Sequence, residues 1–160
     1  MELELLLKKI MIKIIRTDSN NKDFQALVKL LDAELAIRDG DDHAFYHQFN
    51  GLENIKYALV IYENDTAIGS GALKEFSKKA VEVKRMYIHP DYRGRNLASQ
   101  IIKELENWAI ELGFQKCVLE TGFNQPEAIR LYKKNNYQII ENYGQYAGVS
   151  TSICFEKLLS

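Results

Sequence analysis

Between positions 92 and 98 the chain reads Tyr92-Arg93-Gly94-Arg95-Asn96-Leu97-Ala98, a short basic loop that opens a long amphipathic helix. Successive backbone N–H groups meeting the positive end of a helix dipole favour an anion. The helix that follows begins without an acidic residue to compete for that place. Arg93 and Arg95 add charge, while Gly94 and Ala98 leave room for a ligand to approach the backbone. An Arg-Gly-Arg turn serves equally well as a solvated helix cap, so taken alone the loop supports both readings. It is not a nucleotide P-loop, because no Gly-Lys-Ser/Thr follows to reach phosphates and magnesium. A second constellation is His43 and His47, four apart after Asp39, Asp41 and Asp42. That spacing suits chelation, but no third ligand is evident and capping accounts for the aspartates, so no metal is expected. Cys117 and Cys154 stand far apart in apolar, strand-like runs, outside any Cys-x-x-Cys or zinc spacing, and read as buried free thiols.

The elements that must position this loop follow from periodicity. A strand is expected at 12–16. Asp18, Ser19 and Asn20 are suitable caps for a helix running to about 37, whose buried face is Phe24, Leu27, Val28, Leu31 and Leu35. A short helix over about 42–49 follows. Strands at 56–62, 66–76 and 80–88, joined by short turns, imply antiparallel hairpins. Leu97, Ile101, Leu105, Trp108 and Leu112 recur at helical spacing over 94–112, with Gly113 as the natural stop. The strand at 115–120 is separated from the preceding one by that helix, so the pair should run parallel. A helix at 124–135 carries Pro126 in its first turn, and strands at 137–141 and 150–158 close the chain. The fold class is α/β (α+β): a central, mixed, mostly antiparallel seven-stranded sheet flanked by helices.

Bulk properties narrow the function classes. The 160 residues suit one domain, read as an N-terminal extension at 1–10 and a domain at 11–160. Whether the extension packs on a neighbouring subunit or the natural start is Met11 stays open. A net charge of −1 argues against a nucleic-acid partner. No apolar run approaches the roughly 18 residues of a membrane span. The first 15 residues are broken by charges and make a poor signal peptide, so a cytoplasmic protein without a membrane partner is expected.

The loop resembles the acetyl-CoA-binding motif of the GNAT (general N-acetyltransferase) superfamily, Arg/Gln-x-x-Gly-x-Gly/Ala. Arg93 and Ala98 match its ends, and Asn96 replaces its central glycine. Asparagine is the non-glycine residue that best tolerates a left-handed backbone. Downstream, residues 124–137 are similar to the family pattern Asn-x-x-Ala-x-x-Leu-Tyr-x-x-x-Gly-Phe/Tyr. Ala128, Leu131, Tyr132 and Tyr137 match, Gln125 stands for the asparagine beside Asn124, and Asn136 stands for the glycine. The resemblance covers about 12–157.

The resemblance implies a sheet splayed at its middle, with the pantetheine arm of acetyl-CoA paired to the backbone of Met86, Tyr87 and Ile88 in a ligand version of strand addition. The N–H groups around Arg93, Gly94, Arg95, Asn96, Leu97 and Ala98 would hold the pyrophosphate, with Asn124 and Tyr132 also at the cofactor. Arg130, Lys133 and Lys134 would either meet its outer phosphate or merely solvate a helix end. A backbone N–H of Met86 or Ile88 would polarise the thioester oxygen. Glu82, eleven residues before Arg93, is the expected base, directly or through water. Tyr132 is the expected proton donor to the departing sulfur. Asp39, Asp41, Asp42, the histidines, Tyr143 and Tyr146 would border the acceptor, a small-molecule amine or a peptide. The implied enzyme moves acetyl directly from acetyl-CoA to a primary amine in a ternary complex, with a homodimer as the default assembly. The alternative is a non-catalytic acetyl-CoA-binding module, suggested by the two glycine-to-asparagine departures. A nucleotide-binding protein is a third reading with little support.

Overall fold

The structure, a computed structural model, describes residues 10–47 and 55–160. The expected N-terminal extension lies outside them but for Ile10, as does the end of the second expected helix beyond His47. Seven strands form one sheet in the order β1-β2-β3-β4-β5-β7-β6. They are β1 (Ile12–Thr17), β2 (Tyr57–Glu63), β3 (Thr66–Glu75), β4 (Ala80–Ile88), β5 (Lys116–Gly122), β6 (Gln138–Ile140) and β7 (Ser152–Leu158). The helices are α1 (Lys22–Asp39), α2 (His43–His47), α3 (Leu97–Glu111) and α4 (Pro126–Lys134). Strands β1 to β4 pair antiparallel, and β4 pairs parallel with β5 across the α3 crossover, as the connection lengths require. The last hairpin folds back so that β7 inserts between β5 and β6.

Both faces of the sheet are covered. Strand β2 is therefore apolar on successive residues, with Leu59 and Ile61 packed towards α3 and Ala58 and Val60 towards α1. On the α3 side Leu97, Ile101, Ile102, Leu105 and Ala109 join Leu73, Val81, Leu119 and Phe155, and Tyr132 of α4 extends that core. On the other side Phe24, Leu27, Val28 and Leu31 of α1 meet Ala72 and Tyr87. The cap of α1 is Asn21, one residue beyond those expected, whose side chain accepts from the Phe24 N–H at 2.9 Å. Asp18 instead closes the preceding turn by accepting from the Asn20 N–H. Leu112 caps the far end of α3 and is 38% exposed rather than buried.

Helix α3 begins at Leu97, three residues later than periodicity suggests. The cause is Asn96, whose φ of 63° is left-handed and incompatible with a helical turn through Gly94 and Arg95. Cys117 and Cys154 are buried free thiols, as expected.

Candidate active site

The sheet opens at its centre. Strand β4 pairs with β5 only through Ala80, Val81 and Glu82, opposite Lys116, Cys117 and Val118. From Val83 to Ile88 no strand among the described residues pairs with β4 on that side. The divergence has a local cause in β4. The β3–β4 register jumps between Ser70↔Tyr87 and Ala72↔Lys84, so Arg85 and Met86 together stand opposite Gly71. Such a bulge bends its strand and strengthens the twist. Its extra residue, Arg85, holds a φ of 59°, unusual for a side chain of that size. Packing maintains it: the Ser70 hydroxyl donates to the Arg85 carbonyl at 2.8 Å, and the buried guanidinium lies 3.6 Å from Asp32. Gly71 is required opposite the bulge, because a Cβ there would lie 2.6 Å from Ile101.

The resulting cleft, about 490 Å³, runs from the 92–98 loop to the point where β4 and β5 part. At the loop end, the first hydrogen bond of α3 runs from Gln100 N–H to the Asn96 carbonyl. The N–H groups of Leu97, Ala98 and Ser99 therefore precede the helical ladder, and the Asn96 side chain makes no cap bond to them. Instead the Asn96 carboxamide oxygen accepts from Lys134 at 2.8 Å, tying the loop to α4. No acidic residue lies in the first turn. Leu97, Ala98 and Ser99 all line the cleft, and Gly94, at φ 81°, borders it with nothing near its Cβ position. These open donors at a helix N-terminus suit a pyrophosphate, and the β5-facing edge of β4 from Met86 to Ile88, which no described strand covers, suits an extended amide-bearing arm.

Not every expected cofactor residue points to that role. Arg93 lines the cleft, but its Nε donates to the Ile88 carbonyl at 2.7 Å and its Nη2 to Glu34 at 2.9 and 3.1 Å. Its guanidinium braces the loop against β4 and α1. Arg95 bonds Glu63 at 2.6 Å, stacks on Tyr92 and is absent from the lining. Asn124 is exposed and also outside the lining, whereas its neighbour Gln125 is part of it. Asn136 has a φ of 70°, so both asparagines that replace motif glycines hold the left-handed backbone.

At the other end five segments distant in sequence converge. Glu82 on β4 accepts from the Tyr143 hydroxyl at 2.6 Å through Oε2, and its Oε1 lies 3.7 Å from Lys84 Nζ. Burial and then the Glu82 carboxylate push the Tyr143 phenol up, so it stays a donor. Burial lowers Lys84, with Glu82 opposing that shift. Tyr132 on α4 is buried, and its hydroxyl has no hydrogen-bond partner among the described residues. Its ring packs on Tyr137 and Phe155. Desolvation, then the nearby Glu120 carboxylate, raises its phenol. Glu120 on β5 is the residue that sequence reasoning missed. It accepts from the Ser152 hydroxyl at 3.2 Å, lines the cleft, and is pushed up to about 7, chiefly by burial and secondarily by Glu82. The available signal was a lone carboxylate inside the apolar run Cys117-Val118-Leu119-Glu120, at the C-terminal end of a parallel strand, where open sheets bind ligands.

Towards the outer rim, Tyr46 of α2 bonds Thr151 and Ser152 at 2.7 and 2.9 Å, and Arg38 of α1 bridges to Glu127 of α4 at 2.8 Å. Asp39, Tyr46 and Tyr146 line the cleft. Among the described residues no cluster of His, Cys, Asp or Glu suits a metal, and the side chains of His43 and His47 lie outside that description. No described helix is long and apolar enough to cross a membrane.

Comparison with known proteins agrees with this geometry. Residues 24–137 match the Acetyltransferase (GNAT) family. An IAA acetyltransferase of Azospirillum brasilense is 31% identical over 102 residues, 63% of this chain and 67% of that protein. The next two curated relatives are spanned over about half their length. A crystal structure described as an acyl-CoA N-acyltransferase of Klebsiella pneumoniae superposes with a TM-score of 0.79 at 29% identity, covering 94% of this chain and 99% of that one. The YncA acetyltransferase of Salmonella typhimurium, solved with acetyl-CoA, shares the fold at a TM-score of 0.67 and 16% identity, covering 94% and 95%.

Proposed function

Because this chain belongs to the GNAT acetyltransferase family, we propose that it moves the acetyl group of acetyl-CoA directly to a primary amine of a small molecule or peptide, within a ternary complex. The observation that carries the reading is the single cleft that joins the uncapped start of α3 to Glu82, Glu120 and Tyr132. Acetyl-CoA supplies the activated thioester. The chain supplies open N–H donors at Leu97, Ala98 and Ser99 for the pyrophosphate. The unpaired edge of β4 at Met86, Tyr87 and Ile88 receives the pantetheine amides, which brings the thioester towards the carboxylates. Arg93 and Lys134 act by holding the loop rather than by reaching into it.

Transfer to an alkyl amine needs the amine to lose a proton, since its pKa near 10 leaves it mostly charged at neutral pH. A carboxylate at the sheet opening takes that proton. A buried phenol with no competing partner, Tyr132, is placed to give one to the departing sulfur. The paired acid groups Glu82 and Glu120 also favour a cationic acceptor over an anionic one. The reading as a non-catalytic binding module rested on the asparagines at 96 and 136. Both adopt the conformation a glycine would, and the Asn96 side chain is engaged by Lys134.

The test is thiol release when the protein is mixed with acetyl-CoA and a panel of primary amines and peptides. Release is expected with at least one acceptor, and Tyr132→Phe should lower it about 100-fold or more while acetyl-CoA binding, read by calorimetry, stays within twofold. Binding without release across the panel would leave the module reading standing.

A further inference from the structure

Strand β4 carries two successive cations, Lys84 and Arg85, and the bulge turns both to one face. Val81 and Val83 pack into the core beneath α3, while Glu82 and Lys84 alternate with them on the α1 side. In an unbroken strand, position 85 would follow Val83 into that apolar core. The extra residue of the bulge sends it the other way, to within 3.6 Å of Asp32 on α1, and Met86 takes the next place against the α3 core. The backbone is strained to achieve this, because a φ of 59° at Arg85 persists only where the surroundings impose it. Both cations line the cleft, with side chains only 10% and 2% exposed.

The charges beside them have the opposite sign. Lys84 Nζ lies 3.7 Å from Glu82 Oε1. Burial lowers the Lys84 ammonium, Glu82 opposes that shift, and Arg85 lowers it again, as a like charge held close must. Glu82 and Glu120 suit an ammonium, but a plain alkyl amine answers those carboxylates alone. Its entry would strip water from Lys84 and Arg85 without bringing an anion to face them. An ion pair with one carboxylate does not exhaust the three N–H groups of an ammonium or the five of a guanidinium.

Resting on the acetyltransferase reading above, we propose that the acceptor is an α-amino acid, its ammonium received by Glu82 and Glu120 and its carboxylate by Lys84 and Arg85. The spacing selects this class. With 3.7 Å between the Glu82 and Lys84 charges, an acceptor that answers both must carry its own charges close together. An α-amino acid holds them on one carbon. A polyamine would set a second cation against Lys84 and Arg85, an ω-amino acid would carry its carboxylate past them, and a peptide terminus has an amide in that place. Arg85 adds the planar fork that matches a carboxylate, and Lys84 adds a point charge.

The test holds the side chain of the acceptor constant and changes only its second charge. Full-length protein with acetyl-CoA is assayed by thiol release against the common amino acids, each with its carboxamide and the amine lacking the carboxyl group, and against a short peptide. Phenylalanine, phenylalaninamide and 2-phenylethylamine form one such set. For the best acid, kcat/KM should exceed that of its amide and its plain amine by about tenfold or more. The amide is the less basic amine, so more of it is uncharged at neutral pH and basicity works against this preference. Lys84→Met keeps the apolar stem and should lower the acid-to-amide ratio about tenfold, through a higher KM for the acid. Arg85→Lys keeps the charge without the fork and should lower the ratio about threefold. Damage to the fold alone would slow both acceptors together and leave the ratio where it was. Amides, plain amines or the peptide used as well as the acids, or a ratio that survives both substitutions, would overturn the assignment and leave the transferase reading intact. Acetyl-CoA binding with no thiol release from any acceptor would overturn both.

Discussion

The two ends of the cleft are built in opposite ways. The proposed anion end is one continuous stretch, residues 92–99, which offers main-chain N–H donors at the start of a helix. The proposed acid–base end is assembled from β4, β5, α4, β7 and the segment after β6, and it offers side chains that meet only in the folded molecule. A backbone site tolerates changes of residue as long as φ and ψ survive, which is why asparagine stands where the family motif has glycine. A side-chain site depends on each partner, because burial penalises a charge left without one. Substitutions should therefore have larger effects, of either sign, at the assembled end than at the local one.

The largest effect expected on stability tests the assembled end through pH. Glu120 is pushed from its ordinary 4.5 to about 7 in the folded protein. Between those values the native state holds a proton that the unfolded chain has released, so stability falls as pH rises through that interval and the penalty is complete above it. The burden is about 3 kcal/mol. Glu120→Gln removes it. The variant should match the wild type near pH 4.5 and exceed its urea-unfolding stability by about 3 kcal/mol at pH 8. A difference that did not change with pH would mean that Glu120 carries no such burden, and the contrast between the two ends would weaken.

That asymmetry also explains what could be read in advance. Element order, the antiparallel hairpins, the parallel β4–β5 pair and the buried face of α1 followed from period and connection length, which are local properties. The loop was legible for the same reason. Glu120 was not, because its one local signal, a carboxylate closing an apolar strand run, does not say whether the sheet opens beside it. Only the three-residue length of the β4–β5 ladder and the bulge at Arg85 make it a cleft residue. The misplaced start of α3 has a related origin: helical periodicity sees Gly94 and Leu97 but not the left-handed φ at Asn96. Arg93 stands out by its type, yet its partners Glu34 and the Ile88 carbonyl come from elements that only the fold brings near.

A middle-sized effect is expected where a charge is placed in the local site. Ala98 lines the cleft within the first turn of α3, which has no acidic residue. Ala98→Glu sets an anion against the pyrophosphate at the positive end of the dipole. It should weaken acetyl-CoA binding about tenfold, roughly 1.4 kcal/mol, with the effect shrinking at high salt. Unchanged affinity by calorimetry would show that the cofactor does not rest on this helix terminus, and the proposed division of the cleft would fail at that end.

The smallest effect is the sharpest test of the idea that backbone, not side chain, makes the local end. Asn96 occupies the left-handed region, where asparagine is tolerated and most residues with a Cβ cost about 1–2 kcal/mol. Asn96→Ala should therefore lower stability by about 1 kcal/mol, since it keeps the strained φ and loses the bond to Lys134. Asn96→Gly relieves the strain and loses the same bond, so stability should stay within about 0.5 kcal/mol. Acetyl-CoA affinity should change less than about threefold in both, because neither removes a main-chain donor. If Asn96→Gly instead bound acetyl-CoA tenfold more tightly, the carboxamide would be crowding the pyrophosphate. The local end would then depend on its side chains as the other end does.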